Sequence, residues 1–528
     1  MKLLTNARIY TFMGELPAAS AIAIDGERII AVAETRELRR RFKNQVEEFN
    51  LNGLAVIPGL VDAHIHLEHY ALGLQKVDCE TATKAECLRR VEQRARQMPP
   101  GEWILGHGWN QNSWSEGYGT IQELDAVATR NPVFLTAKSL HAAWVNSQAF
   151  QIAGIRQETK DPPYGAFGRD QQARLTGVIY ENAVSLVEKI IPAPSVEMVA
   201  AAIETAQEDL WKKGLTGVHD FDRQRCFSAL QLLHGRGLLR LRVLKSIPFE
   251  NLNQAVEIGL HSGFGDDFIR VGGIKIFSDG ALGPRTAAML QPYENEPENR
   301  GMAFLDGEEL FTIGREAVDS GLSLAVHAIG DRANHEVLNG LERLREYQNQ
   351  GPSQPLLPHR IEHVQIIHPD DAPRLSALGI VASMQPVHAT SDLEMAEHYW
   401  GIRSAWSYGF KSQLDFGARL VFGSDAPVES PNPFLGVHAA VTRRRLDGEP
   451  GVQGWYPKER LTVQQALEAY TLAPADISGM GDRLGKIAPG YLADLVVLEK
   501  DPFTCQPDDL HRIKPVKTMV AGDWVFEA

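Results

Sequence analysis

Cysteine is scarce in this chain. Its four cysteines among 528 residues, Cys79, Cys87, Cys226 and Cys505, lie far apart, with neither C-x-x-C spacing nor a disulfide framework. A reducing, cytoplasmic setting is the expectation. Basic residues are in deficit too. The net charge of -14 argues against a nucleic-acid or anionic-membrane partner, since both attract basic surfaces. Acidity of this size reads as a solubility device, and the expected partner is a small-molecule substrate. Long apolar runs are missing, so no bilayer-spanning segment is expected. Met1-Lys2-Leu3-Leu4-Thr5-Asn6 turns polar too soon for a secretory signal. Internal repeats and low-complexity tracts are absent as well.

What is present is an ordinary globular composition, 44% hydrophobic and 23% charged, in a chain long enough for more than one domain. Residues 1–56 read as β-structure. Ala18 to Ala33 alternates apolar and polar residues around Asp25-Gly26, a hairpin turn signal. The far end, residues 485–528, repeats the style, with a short strand over Ala493–Leu498 and a hairpin over Thr518–Phe526 around Gly522-Asp523. Neither end can bury an apolar face alone, so one small β-domain built from both termini is expected.

Residues 57–484 alternate strands with amphipathic helices, the pattern of a parallel sheet. Eight strands are expected, around Val56–Ile65, Thr216–Phe221, Arg240–Ile247, Gly273–Phe277, Leu322–Ala328, Arg360–Val364, Ile380–Gln385 and Arg419–Ser424. Helices are expected over Met198–Trp211, before Gly214, and over Pro369–Leu378, before Gly379. The fold class is therefore α/β, a (β/α)8 TIM-like barrel. Residues 68–195 are too many for an ordinary crossover and are rich in glycine and aromatics, including Trp103, Trp109, Trp114, Tyr118 and Trp144. They are expected to form a lid or subdomain. A peripheral insertion with its aromatics in its own core is the alternative.

Potential metal ligands recur at strand ends. His64 and His66, two apart on an extended strand, face the same side. His327 ends the run Leu322-Ser323-Leu324-Ala325-Val326, His363 ends Arg360-Ile361-Glu362, and Asp425 follows Val421-Phe422-Gly423-Ser424. A parallel barrel gathers the carboxyl ends of its strands on one face, so these residues can converge. Lys275 stands inside Gly272-Gly273-Ile274-Lys275-Ile276-Phe277. A lysine there must be paired, neutral or modified. It either forms an ion pair, with Asp279 or Glu181, or its neutral amine takes up carbon dioxide as a carbamate that bridges two cations.

These stretches together resemble the amidohydrolase superfamily, in its amidohydrolase-3 branch of YtcJ-like metal-dependent hydrolases and N-substituted formamide deformylases. The resemblance runs through Pro58 to His66, Ile274 to Gly283, Val326 to Asn334, Arg360 to Gln365, Ser383 to Pro386, Gly423 to Val428 and Pro489 to Leu495. It implies a binuclear site at the barrel mouth. One metal would take His64, His66 and Asp425, the other His327 and His363, with carboxylated Lys275 between them. Two zinc ions suit such ligands, with iron or manganese as alternatives. Asp425 would act as general base and then acid in cleaving an amide or formamide C–N bond.

His388, just past the seventh strand, is a candidate for steadying an oxyanion, or else a loop histidine. Arg285 would contact substrate or pair with an acid. Trp109, His141 and Trp144 match segments that approach the active site in similar proteins. The branch often has Asp-Gly where this chain has Ser139-Leu140, which loosens any inherited contact there. Two other readings compete. A mononuclear deaminase of a heterocyclic base would want an acid shortly after His327, where Ala328-Ile329-Gly330-Asp331 has no glutamate. A non-catalytic scaffold would have no use for Asp425 beside an open metal position. Barrels of this size often self-associate, so a homo-oligomer is also an expectation.

Overall fold

The computed structural model describes the chain apart from residues 15–18, 44–45, 112–113, 140 and 352–354. Ala18, at the start of the expected hairpin, and Leu140, beside His141, therefore lie outside the described residues. The chain divides into two compact units, Met1–Tyr70 with Ile203–Ala528, and Ala71–Ala202.

The first unit is built on eight parallel strands: β1 (Leu60–Ile65), β2 (Leu215–Asp220), β3 (Arg242–Pro248), β4 (Ile269–Phe277), β5 (Leu324–Ala328), β6 (Arg360–His363), β7 (Val381–Met384) and β8 (Arg419–Phe422). Each pairs with the next in chain order. Most of their residues are buried, as expected of strands covered on both faces. The fold is the expected (β/α)8 barrel. Its ring closes without a regular ladder between β8 and β1. The Asp425 N–H donates to the His64 carbonyl (2.7 Å) and the His66 N–H to the Ala426 carbonyl (2.9 Å). Gly423 makes this approach possible, because a Cβ there would stand 2.4 Å from the His64 nitrogen.

The expected strand Val56–Ile65 is two strands. Ala55–Pro58 leaves the barrel and pairs antiparallel with Leu495–Leu498. The break is at Gly59, whose N–H donates to the Asp494 carbonyl (2.8 Å). A Cβ at Gly59 would lie 2.2 Å from Thr216 Oγ1, so the chain turns where it carries no side chain. The expected helix over Met198–Trp211 is Val196–Lys212. That over Pro369–Leu378 is confined to Arg374–Leu378, ended by Gly379 at φ +69°. Before it the Asp371 carboxylate is held by His335 (2.9 Å) and Arg374 (2.8 Å), which fixes a turn there.

Two further sheets lie at the termini, the first from the N-terminal stretch alone and the second from both ends. One orders Arg28–Ala33, Ala21–Asp25, Lys2–Thr5 and Glu47–Asn50. The other orders Arg8–Ile9, Ala55–Pro58, Leu495–Leu498, Pro515–Val520 and Asp523–Glu527. Leu4, Ile22, Ile24, Val56, Leu495, Val497 and Met519 share one buried core, which supplies the apolar cover neither end has alone. Asp494 ties this region to the barrel through the guanidinium of Arg242, at the start of β3 (2.6 and 2.8 Å).

The second unit contains a six-stranded sheet in the order Gly165–Arg169, Leu175–Glu181, Ala142–Val145, Val133–Ala137, Ile104–Trp109 and Val77–Asp78. Its helix Lys84–Gln97 is capped by the Thr83 hydroxyl. Trp109, Trp114, Trp144, Cys79 and Cys87 lie in one of its buried cores. Among the described residues no helix is long and apolar enough to cross a membrane.

Candidate metal centre

The carboxyl ends of β1, β5, β6 and β8 bring together the histidines and the aspartate that the sequence singles out. Ring centroids of His64 and His363 are 5.0 Å apart, and those of His327 and His363 4.5 Å. Ligating atoms of His64, His363 and Asp425 lie within 4.8 Å of one another. His64 Nε2 and His66 Nε2 stand 3.6 and 3.4 Å from Asp425 Oδ1. His363 (φ +78°), Val364 (φ +45°) and Asp425 (φ +59°) hold left-handed backbone, a conformation that costs non-glycine residues energy and concentrates at functional sites. At His363 it ends the strand alternation that carries Arg360 and Glu362 on β6.

Hydrogen bonds decide which nitrogen of each ring is free. His64 Nδ1 donates to Glu362 Oε2 (2.6 Å). Burial would raise the Glu362 carboxyl, but the Arg360 guanidinium, the Lys275 ammonium and the Ser383 hydroxyl together outweigh it and keep the group below its ordinary value. Arg360 also donates to the Ala63 carbonyl and the Ser383 hydroxyl, each at 2.7 Å. His66 Nδ1 donates to Asp222 Oδ1 (3.1 Å), and His363 Nδ1 to Gln385 Oε1 (2.9 Å). These three rings keep Nε2 for a metal. His327 is reversed: its Nε2 donates to the Gly280 carbonyl (3.0 Å), which leaves Nδ1.

The charge states suit ligation, which needs neutral imidazole and ionised carboxylate. Burial first, and then the Lys275 ammonium, pulls His327 down to about 4 and His64 well below its ordinary value. Burial followed by the field of His327 does the same to His363. For Asp425 burial would raise the carboxyl, yet its hydrogen bond with His66 and the nearby histidines hold it well below the usual range. His66 departs from the pattern. Burial lowers it, but Asp222 and Asp425 together bring it up to about 9.

Lys275 on β4 is buried, and its Nζ has no hydrogen-bond partner among the described residues. It lies 4.6 Å from the centre of the Phe221 ring and 5.0 Å from that of Phe277. Burial lowers its ammonium to about 8, against the pull of Glu362 and Asp425. The aspartate considered as its ion-pair partner is otherwise engaged, since Asp279 accepts the N–H groups of Ala288 (2.9 Å), Ile329 (3.0 Å) and Gly330 (2.8 Å). Glu181 forms an ion pair with His141 (3.0 Å). An orphaned buried amine ringed by imidazoles and a carboxylate fits a metal site with a modified lysine, on donor chemistry alone.

His388 is buried beside His363, the rings 6.4 Å apart and nearly parallel. Its Nδ1 faces the Gln365 amide nitrogen (3.5 Å), and its Nε2 has no hydrogen-bond partner among the described residues. Arg285 pairs with Glu296 (2.7 Å) and lies over the Tyr399 ring. Within the second unit Trp109 and Trp144 are buried and donate to the Leu135 and Thr120 carbonyls (2.8 and 3.0 Å). A cavity of about 1280 Å³ reaches the centre. Its wall includes His66, Asp222, Lys275, Phe249, Phe277 and Phe304.

Glu362, Asp222, Gln385 and the Gly280 carbonyl are the partners that sequence reasoning missed. Arg360 and Glu362 gave a signal, a charged pair two apart inside a buried strand, the same oddity that marked Lys275. Asp222 follows β2 much as Asp425 follows β8. A backbone carbonyl such as that of Gly280 leaves no trace in a sequence.

The comparisons with known proteins agree with this geometry. The profile of the Amidohydrolase family matches residues 47–526. The Bacillus subtilis (strain 168) protein YtcJ is 32% identical over 98% of each chain. An N-substituted formamide deformylase of Arthrobacter pascens is 29% identical over 99% of this chain and 98% of its own. The crystal structure of an uncharacterized metal-dependent hydrolase from Pyrococcus furiosus superimposes with a TM-score of 0.77 at 28% identity, covering 95% of this chain and 100% of that one. With the profile spanning residues 47–526, the whole barrel included, the chain belongs to the Amidohydrolase family.

Proposed function

We propose that this protein hydrolyses a C–N bond in an amide or formamide at a binuclear centre, with zinc the metal that best suits the donors. The observation that carries the reading is the unpartnered Lys275 amine among His64, His66, His327, His363 and Asp425. In this reading His64, His66 and Asp425 hold one ion and His327 and His363 the other. Lys275 joins them as a carbamate. Its neutral amine adds to carbon dioxide, an N–C bond forms, one proton leaves and an anionic carboxylate results. The relative named a formamide deformylase supports the C–N assignment by likeness.

When bound, such ions supply an acidified water and polarise a carbonyl. Asp425, held as carboxylate, takes the proton of the attacking water and passes it to the departing amine nitrogen. His388 faces the Gln365 amide nitrogen with Nδ1 and leaves Nε2 for the developing oxyanion. The single-metal deaminase reading has no acid placed to serve it after His327. Asp331 instead accepts the Leu290 N–H (2.7 Å) at the start of the helix Asp331–Gln350.

The test is bound metal per chain for wild type and Lys275→Ala prepared with bicarbonate, followed by a panel of amides, formamides and heterocycles. Two equivalents in wild type, a clear loss in the variant and amide turnover by wild type alone are expected. One equivalent in both proteins, with deamination of a heterocycle, would overturn the reading.

A further inference from the structure

The four imidazoles differ in what stands behind them. His64 leans on the Glu362 carboxylate (2.6 Å) and His66 on the Asp222 carboxylate (3.1 Å). His363 leans on the amide oxygen of Gln385 (2.9 Å) and His327 on the backbone carbonyl of Gly280 (3.0 Å). The Asp279 carboxylate stands farther from His327 Nε2 (3.5 Å) and is taken up by three backbone N–H groups. By direct hydrogen bond, two rings therefore rest on anions and two on neutral oxygens, and the division follows the two ion positions. An anion accepting the far N–H makes an imidazole a better donor and fixes its orientation, and losing such a partner typically costs about 10–100-fold in metal affinity.

We infer that the protein makes its two ion positions unequal: a tight one at His64, His66 and Asp425, and a weak, exchangeable one at His327 and His363. The inference rests on the two-ion reading. The Lys275 carbamate belongs to both positions and does not discriminate between them. Asp425 adds its charge to the tight side, and the partners behind the rings enlarge the difference. Both carboxylates are built in. Glu362 is fully buried and gripped by Arg360. Asp222 is buried and also accepts the Glu68 N–H (2.6 Å) and His69 Nδ1 (2.6 Å). Glu362, Asp222 and Gln385 are positioning residues, acting on the ions through the rings they hold.

Gln385 offers the reverse experiment. Its amide nitrogen has no hydrogen-bond partner among the described residues, so Gln385→Glu puts a carboxylate behind His363 without losing a donated bond. Metal-free protein in bicarbonate buffer would be titrated with Zn²⁺ against a chromophoric chelator, and with Co²⁺ followed by its visible absorption. Wild type should fill in two separate steps. Glu362→Gln and Asp222→Asn should each weaken the tight step by about 10–100-fold and leave the weak step in place. Gln385→Glu should tighten the weak step by a similar factor. Two steps of equal affinity in wild type would overturn the inference. So would equal weakening of both steps by Glu362→Gln, or a weak step unmoved by Gln385→Glu. If Glu362→Gln fails to fold, the Gln385→Glu arm decides alone. Uptake of a single ion by wild type at every concentration overturns the two-ion reading itself, and this inference with it.

Discussion

Gly423 occupies a tight passage at the metal centre. A methyl group there would stand 2.4 Å from the His64 nitrogen, 2.8 Å from its Cβ and 2.9 Å from Asp62 Oδ1, and neither the backbone nor the buried ring has room to retreat. Gly423→Ala should therefore cost about 1–3 kcal/mol, the usual range for overpacking. It should also lower bound metal, because the clash pushes His64 away from Asp425. Thermal unfolding and metal analysis of one preparation check both effects, and an unchanged variant would refute the steric argument. Legibility at this scale depends on chemistry meeting pattern. His64 and His66 were readable because a strand repeats every two residues. Lys275 was readable because charge is out of place in an apolar run. Glu362 looked like part of a motif, and only folding reveals that its partner is a histidine on β1.

The join between β5 and β6 depends on a histidine outside the metal centre. His359 accepts the Leu324 N–H at Nδ1 (3.0 Å), at the first residue of β5. Burial lowers it from its ordinary value to about 4, with Arg345 pushing the same way. The folded state thus binds fewer protons than the unfolded chain between about pH 6.5 and 4. In that window stability falls as pH falls, by at most about 1.4 kcal/mol per pH unit from this group. His359→Asn keeps an acceptor for Leu324 and removes the titration. Denaturant unfolding at several pH values should show a shallower acid slope in the variant, whatever its stability at pH 7. Element positions in the barrel were largely readable, because fully buried strands are apolar runs bounded by glycine, proline and polar residues. The break at Gly59 was not, since Val56–Ile65 is one continuous apolar pattern whose two halves serve different sheets.

At the scale of the molecule, the terminal sheets and the barrel share a buried ion pair. Arg242 and Asp494 are both buried, and Asp494 also accepts the Ala521 N–H (2.9 Å). Asp494→Ala strands a guanidinium in the interior and should cost about 3–5 kcal/mol, read as a lower denaturation midpoint. The paired change of Arg242 to Met with Asp494→Ala should recover part of that loss, and no recovery would refute the ion-pair argument. The antiparallel pairing of Ala55–Pro58 with Leu495–Leu498 joins two ends that each carry only half of an apolar cover. The sheet order of the Ala71–Ala202 unit was not legible in the sequence, because its strands are short and its pairing is set by contacts far apart in sequence.

The barrel seam has a consequence for how the molecule is made. β1 is synthesised early, but the neighbour that closes the ring on its open side is β8, and Ala55–Pro58 likewise waits for Leu495–Leu498. Until nearly the whole chain has emerged, the nascent protein carries two unpaired apolar edges. Such edges invite aggregation during folding. Chains stopped short of β8 should therefore be strong chaperone clients, and His64 and His66 can meet Asp425 only after that exposure ends.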